Sequence, residues 1–267
     1  MSPVHRPHPL RVIWAVGKVT LLELVRDRIL YNSVLLCFFL LALAFFASRL
    51  TFIRPERVVL DFGLSSVSLS CALIAVLLGS QLLNREFERR TIHVALCHPI
   101  TRLEFVIGKF VGLASVLALN WLLLASSYLV VLGYSSESFF ENTSPILMVG
   151  LVFCLIQSLI LAGFAILFSS FSTTALSVMF SVGVFLIGNN VTQLRLVGAR
   201  VQSQVGSLIL KGASYVLPNL ESFNLGLQVT YGLPPDWKIL ILSTLYGFFV
   251  LTLVLGLSGA IIQFREV

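Results

Sequence analysis

Long runs of apolar residues, separated by short polar or charged segments, dominate the pattern of this 267-residue chain. A helix needs about 20 mostly apolar residues to cross the hydrocarbon core of a bilayer. The uncharged stretch 142–194 is too long for one crossing, so we divide it at the polar cluster 169–174. The predicted spans are residues 31–48, 64–83, 110–134, 146–168, 175–191 and 239–264.

The amino-acid composition also indicates that the chain folds within a lipid bilayer. Apolar residues make up 57% of the chain and charged residues only 11%, whereas soluble domains have about 25% charged residues. The mean hydropathy is +0.97. A water-soluble fold needs a polar surface that these residues cannot supply. We therefore predict an all-α polytopic membrane protein with six transmembrane helices, in a single transmembrane domain of residues 1–267.

Residues 9–29, ahead of the first span, have the pattern of an amphipathic helix with one apolar and one charged face. A helix of this kind, with a tryptophan and basic residues, can lie along the inner membrane surface as an interfacial helix. A solvated extension of the first span would show the same pattern. The predicted apolar face consists of Leu10, Trp14, Gly17, Leu21, Leu24 and Val25, and the polar face of Arg11, Lys18, Glu23 and Arg26.

Residues 192–237, between the fifth and sixth spans, mix apolar stretches with glycine, proline, asparagine and glutamine. Irregular backbone at membrane depth is tolerated only against protein or a water-filled cavity. We predict an extracytoplasmic segment with one or two short re-entrant helices, and a plain exterior loop is the alternative.

The basic residues predict the orientation of the chain, because lysine and arginine concentrate on the cytoplasmic side. With the N-terminus inside, the inner segments hold eleven of these residues and the outer segments seven. We therefore expect a multi-pass protein of the cell's inner (plasma) membrane with cytoplasmic N- and C-termini. The net charge of +6 suits loops that face anionic lipid headgroups. No basic run is dense enough to indicate a nucleic-acid partner.

The sequence shows little that could support catalysis. Two of the four histidines, at positions 5 and 8, lie near the N-terminus, and the other two, at 93 and 98, lie in the loop after the second span. An intramembrane serine hydrolase would therefore lack its general base. No zinc-protease motif, intramembrane aspartate pair or phosphate-binding loop is present. No ionisable side chain lies deep in a predicted span, which counts against an ion-coupled secondary transporter. We expect no catalytic residue, no metal and no cofactor in this chain.

The loop 84–104, after the second span, is the most charged part of the chain, and residues 84–109 contain eight charged side chains. A short helix with an apolar stripe would end at Pro99. Thr101 with Glu104 three residues later has the pattern of a capping box, which predicts a helix start there. Such a charged helix suits docking onto a soluble partner. A solvated turn that carries the positive charges of the inner side is the alternative.

The same loop resembles the cytoplasmic loop of type-2 ABC exporter permeases. The matching positions are 85–88, 91–92, 96, 99–102 and 108–109, and Arg90 stands where the family has a glycine. A second stretch, 215–224, is similar to a Leu-Pro-Asn…Phe-Asn segment in small bacterial permeases, such as that of the nitrous oxide reductase maturation system. The six-span layout and the N-terminal helix agree, so the resemblance covers nearly the whole chain.

The resemblance implies that the chain is the membrane-spanning permease subunit of an ABC exporter. Two permease copies would face each other above separate ATPase subunits, which would bind ATP and Mg. The loop 84–104 would be the main coupling helix, the turn 169–174 a smaller second contact, and the helix 9–29 would flank the same ATPase. The residues implied in ATPase coupling are Glu86, Phe87, Glu88, Arg90, Thr91, Ile92, Leu96, Pro99, Arg102, Ser170 and Ser172.

Small polar residues on the second and fifth spans are candidates for a substrate path between the two protomers. The same residues could instead serve as packing contacts between helices. A non-transporting scaffold or assembly subunit remains an alternative function, as does a secondary transporter, and the substrate is open. The candidate path residues are Ser68, Ser70, Ser177, Ser181, Asn189 and Asn190.

Overall fold

The computed structural model describes residues 9–50, 55–88, 101–135, 145–200, 212 and 217–264, and these residues form helices and turns without a strand. The predicted all-α class is confirmed. In chain order the helices are α1 (Pro9–Val25), α2 (Arg28–Leu50), α3 (Pro55–Leu82), α4 (Asn84–Glu88), α5 (Arg102–Ser135), α6 (Pro145–Phe171), α7 (Thr174–Gly188), α8 (Val191–Arg200), a 3-10 turn (Glu221–Phe223), α9 (Gly226–Tyr231) and α10 (Trp237–Phe264).

Five of the described helices, α2, α3, α5, α6 and α10, are long and apolar enough to cross a membrane. The pair α7 and α8 passes the same test together, although the two helices meet at an angle of 74°. Helix α3 begins well before the apolar run that predicted it, at Pro55 instead of 64. Helix α5 begins at Arg102, ahead of the predicted span 110–134 and next to the helix start predicted at Thr101. An apolar run marks only the part of a helix that lipid can cover. The helix itself can begin earlier, because helical turns that contain charged residues can extend outside the hydrocarbon core.

The first and the last of the described helices, α1 and α10, both pack against the first turns of α5. Gly17 of α1 lies so close to α5 that a Cβ there would be 3.3 Å from the Gly108 carbonyl oxygen. Near the other terminus, the Arg102 guanidinium donates a hydrogen bond to the carbonyl of Ile262 in α10. The chain between these contacts therefore traverses the bundle an even number of times, which agrees with counting α7 and α8 as one broken span.

The sharp bend between α7 and α8 interrupts the fifth predicted span, 175–191, at Gly188. The segment after residue 217 fills the corner, because a Cβ on Gly188 would lie 2.8 Å from Leu220 Cγ. The Thr192 N–H, in the first turn of α8, donates to Glu221 Oε2 at 2.9 Å. A carboxylate that accepts a hydrogen bond from the first turn of a helix stabilises the start of that helix. Glu221, 29 residues further along the chain, therefore stabilises the start of α8 at an angle to α7.

Protein covers only part of the apolar face of α1 that the pattern of residues 9–29 predicted. Gly17 and Leu24 of the predicted face do pack inward, together with Val12 and Thr20. Leu10 and Trp14 of the same face, however, are 78% and 66% exposed. The buried positions of α1 contact α5, and the exposed apolar side chains are available to a membrane surface. Periodicity cannot separate a lipid-facing stripe from a protein-facing one, because both require apolar side chains.

Helices α3 and α6 form the centre of the bundle. In the most apolar part of α3, 67% of the residues are buried, against 22% in α2. The outer surfaces of α2 and α10 carry exposed aromatic side chains such as Phe39, Phe46, Phe248 and Phe249. Apolar surface of this extent requires lipid or another subunit to cover it.

Candidate coupling face and polar cavity

The loop 84–104 begins next to the turn 169–174, so the two predicted ATPase contacts are neighbours in the structure. The backbone N–H of Asn84 donates to Ser169 Oγ at 3.3 Å, where α6 nears its end. The Asn84 side chain donates to the carbonyl of Ser80 at 3.1 Å and is buried. The start of α4 is thus attached to both α3 and α6.

Lys109 is the centre of a buried ion cluster at this end of the bundle. Its side chain is only 4% exposed, and its Nζ lies 2.5 Å from Glu86 Oε1 and 3.9 Å from Glu23 Oε2. The ammonium also lies 5.7 Å from the centre of the Phe105 ring. A buried charge is costly unless it is paired, so this lysine of α5 holds the carboxylates of α4 and α1 close to itself.

A second ion pair joins α4 to the junction of α1 and α2. Arg85 Nη1 lies 2.6 Å from Asp27 Oδ2, and the same guanidinium donates to the side-chain oxygen of Gln81. Asp27 also accepts a hydrogen bond from the Ile29 N–H at 3.0 Å, in the first turn of α2. The two ion pairs together connect α1, α2, α4 and α5. We call Glu23, Asp27, Arg85, Glu86 and Lys109 the anchor cluster.

The far end of the loop 84–104 has the predicted capping box. The Glu104 N–H donates to Thr101 Oγ1 at 3.2 Å, and the Thr101 N–H donates to Glu104 Oε2 at 2.9 Å. This reciprocal pair satisfies two backbone donors that a helix start would otherwise leave without partners. The prediction of a helix start at Thr101 is confirmed.

Four of the residues assigned to ATPase coupling have described side chains, and each makes a contact within the bundle. Glu86 belongs to the anchor cluster, and Arg102 binds the end of α10. Ser170 is buried and donates to the carbonyl of Leu167 at 2.6 Å. Ser172 donates to the carbonyl of Phe168 at 2.8 Å.

The other predicted coupling residues lie outside what the structure describes, wholly or in part. For Phe87 and Glu88 only the backbone, in α4, is described. The positions outside the described residues are Arg90, Thr91, Ile92, Leu96 and Pro99.

The sequence analysis did not identify Lys109 as a site residue, and it did not predict which residues of the anchor cluster form ion pairs with each other. The only signal was the Gly108–Lys109 pair within the resemblance, which marks a position but not a contact. Glu23 was identified only as part of the polar face of the predicted interfacial helix, and Arg85 only as a position within the resemblance.

A cavity of about 210 Å³ lies at the other end of the bundle, between α3, α6 and α7, where the stretch at Asn224 and Gly226 closes it. Three of the predicted substrate-path residues, Ser68, Asn189 and Asn190, line it. Ser68 is more than 120 positions from Asn189 and Asn190 in the sequence, and the structure brings the three residues together at one cavity.

A hydrogen-bond relay across the three helices positions one of these side chains. Ser68 Oγ donates to Gln157 Oε1 at 3.4 Å, and Gln157 Nε2 donates to Asn189 Oδ1 at 2.8 Å. Asn189 in turn donates to the carbonyl of Phe185 at 3.0 Å. Gln157 was not predicted as a site residue. It is the one amide side chain in the predicted span 146–168, and this was the signal that could have identified it.

The other three candidates for the substrate path lie outside this cavity. Ser70 donates to the carbonyl of Ser33 at 3.0 Å and joins α3 to α2. Ser177 and Ser181 are buried in α7, where Ser181 donates to the Ser177 carbonyl at 2.7 Å. The Ser177 and Ser172 hydroxyls are 2.8 Å apart. These bonds are of the kind that packs and stabilises helices in a membrane.

Comparison with known families matches residues 14–209 to the family described as "ABC-2 family transporter protein". The match begins within α1 and includes α2 to α8. It therefore contains the loop 84–104 and the three helices around the cavity, α3, α6 and α7. A search of curated proteins gave no match. Because the matched region covers well over half of the chain, and because its helices have the length and hydropathy of membrane spans, this protein belongs to the ABC-2 family and is a multi-pass membrane permease of the ABC transporter type.

Proposed function

We propose that this permease is the transmembrane subunit of an ATP-driven exporter, that it works as a dimer, and that separate ATPase subunits bind its loop 84–104. ATP and Mg would be bound by those ATPase subunits. The anchor cluster carries this proposal, because it fastens the start of the loop to the helices that would have to move. Export and dimerisation rest on the resemblance to exporter permeases.

Transmission of a conformational change requires a stiff connection between the site of force and the moving element. At its start the loop is attached to α3 by a single turn and to α5 by the ion pair of Glu86 with Lys109. At its end the capping box starts α5 directly. A displacement of the loop by a closing ATPase would therefore be passed to α3 and α5 together, as in rigid-body switching between two packed states.

A dimer is supported by the distribution of apolar surface. Helix α2 is long enough to span the bilayer, yet few of its residues are buried within one copy of the chain. A second permease copy would cover part of this surface and lipid the remainder.

Acidic substitutions in the loop test the ATPase contact directly. We expect Arg90→Glu and Ile92→Asp, each introduced into the permease co-expressed with its ATPase, to reduce the co-purified ATPase at least about tenfold, which corresponds to 1.4 kcal/mol of binding free energy. The measurement is the ratio of ATPase to permease after affinity purification. Lys238→Glu, at the opposite end of the bundle, is the control and should leave the ratio unchanged. Unchanged ratios for both loop variants would contradict ATPase docking on this loop, and would favour a scaffold.

Thiol labelling tests the proposed orientation in the inner membrane. Cys37, Cys71 and Cys154 are buried, so a Cys97→Ser background leaves few reactive thiols. In intact cells a membrane-impermeant maleimide should label Lys238→Cys at the start of α10, and should label Lys18→Cys in α1 only after permeabilisation. The opposite pattern would place the termini outside.

A further inference from the structure

The cavity between α3, α6 and α7 is lined by polar, uncharged side chains together with apolar ones such as Leu64 and Phe185. Its polar lining consists of the amides of Asn189, Asn190 and Asn224 and the hydroxyls of Ser65 and Ser68. Amides and hydroxyls both donate and accept hydrogen bonds, and they therefore match a ligand that presents several hydroxyl groups. A charged headgroup would lose hydration in this cavity without meeting an opposite charge.

The carboxylate of Asp61 lies beside the rim and further disfavours an anionic ligand. Its Oδ1 would be 3.9 Å from a Cβ on Gly226, one of the lining residues. A phosphate approaching the cavity at this point would meet a negative charge, whereas a neutral hydroxyl could donate to it.

The amides are held in place before any ligand binds. Asn189 is fixed by the relay from Ser68 through Gln157. Asn190 donates to the Leu186 carbonyl at 2.8 Å, which leaves its Oδ1 as an acceptor. Asn224 Oδ1 accepts the Gly226 N–H at 3.1 Å, which leaves its Nδ2 as a donor. Pre-positioned groups lose less entropy on binding than mobile ones.

The size and surroundings of the cavity indicate that it holds only part of its ligand. Pockets for whole small molecules usually enclose about 300–1,000 Å³, and this cavity encloses about 210 Å³. Leu69 and Leu186 line it and are 39% and 56% exposed at its apolar side. In a bilayer these side chains face acyl chains, so an apolar tail could continue along them from a headgroup in the cavity.

We propose that this cavity binds the neutral, hydroxyl-rich headgroup of a lipid, such as a sugar, while the acyl chains lie over Leu69 and Leu186. As a step on the transport path, the site rests on the proposed exporter function. The binding itself depends only on the cavity, so it can be measured without an ATPase, and its outcome is separate from that of the loop 84–104 experiment.

Lipid retention tests the proposal. The full-length protein is reconstituted into phosphatidylcholine vesicles containing equal amounts of glucosyl-diacylglycerol and phosphatidylglycerol, extracted in mild detergent and analysed by native mass spectrometry. We expect the glucosyl lipid to be retained in about fivefold excess over phosphatidylglycerol, and Asn190→Leu to reduce its retention about fivefold, the size expected when one hydrogen bond is lost. Asn190 is exposed, so this variant should fold normally, and Ser68→Ala should act in the same direction.

Thr252→Val, which removes a hydroxyl from an exposed position of α10, is the matched control and should retain the glucosyl lipid like the parent protein. Equal retention of the two lipids, or equal losses in Asn190→Leu and Thr252→Val, would overturn the proposal. An excess of methyl β-D-glucoside distinguishes a lipid from a free sugar. Little displacement is expected, because the methyl glycoside lacks the apolar contacts, and complete displacement would overturn the assignment to a lipid.

Discussion

Replacing Lys109 with methionine is expected to destabilise the protein by about 1–3 kcal/mol, because the partly buried carboxylate of Glu86 loses its charged hydrogen-bond partner. The methionine side chain is similar in length, so it removes the charge with little change in volume. The carboxylates of Glu86 and Glu23 would then lose the ammonium group that both of them contact. The unfolding midpoint of the purified protein in lipid nanodiscs, measured by heating, should fall, and ATP hydrolysis by the assembled transporter should lose its dependence on substrate.

A double-mutant cycle separates the ion pair from the loss of packing. Glu86→Gln removes the charge of the nearest carboxylate while keeping its shape. Combined with Lys109→Met, it should restore part of the stability, with a coupling energy of at least about 1 kcal/mol, because residues in direct contact are not additive. Additive effects would show that the two side chains do not interact.

Lys18→Met is the matched control for Lys109→Met. Lys18 is an exposed lysine on α1, with its ammonium 5.4 Å from the Trp14 ring. Exposed charges contribute at most about 1 kcal/mol, so the midpoint should change little. A loss in Lys18→Met as large as that in Lys109→Met would mean that the midpoint reports overall charge rather than the anchor cluster.

Gly112→Ala is expected to separate α1 from α5 and to destabilise the protein by about 1–3 kcal/mol, as overpacking does in other cores. A Cβ at this position would lie 2.6 Å from Thr20 Cβ and 2.8 Å from the Gly17 carbonyl oxygen. Because the oxygen belongs to the backbone, α1 as a whole must move to make room. Small residues at helix contacts in membranes permit this close approach.

The effect of Gly112→Ala can be read from the unfolding midpoint and from amide hydrogen exchange of α1, which should become faster as the helix detaches. Gly133→Ala, in the same helix, is the control. A Cβ at Gly133 meets nothing within 4 Å, and alanine favours a helix by up to about 1 kcal/mol over glycine. This variant should therefore be neutral or slightly stabilised. Equal destabilisation by the two substitutions would contradict a specific α1–α5 contact.

The two predictions address one functional element from two sides. The charge of Lys109 and the small volume of Gly112 both hold α1 against α5, directly beneath the start of the loop 84–104. If the loop 84–104 couples to an ATPase as proposed, a transporter in which this contact is loosened should still bind the ATPase, but the movement of the loop would no longer reach α5 as a unit. Binding retained with coupling lost is therefore the expected phenotype of Gly112→Ala.

Some local features were readable from the sequence because neighbours along the chain determine them. The spans follow from the length and hydropathy of each apolar run. The start of α5 follows from Thr101 and Glu104, which reach each other across a single helical turn. The coupling residues 90–99 lie outside the described residues, so their role remains a prediction from resemblance.

Other features required contacts between distant segments. The pairing of Lys109 with Glu86 and Glu23 joins three helices, and no pattern in the sequence selects those partners among the other charges. The bend after Gly188 depends on Leu220 and Glu221. For that reason hydropathy alone predicted an unbroken span there.

The sequence by itself determined that this protein is an all-α membrane protein, where its apolar runs lie, and which loop is the most charged. These properties are local, because the free energy of placing a helix in lipid depends on its own length and composition. Only the tertiary structure decided which polar groups meet: the anchor cluster at one end of the bundle, and the relay from Ser68 to Asn189 at the other. Ion pairs and hydrogen bonds depend on distances of a few ångströms between residues far apart in the chain, and packing of the helices sets those distances.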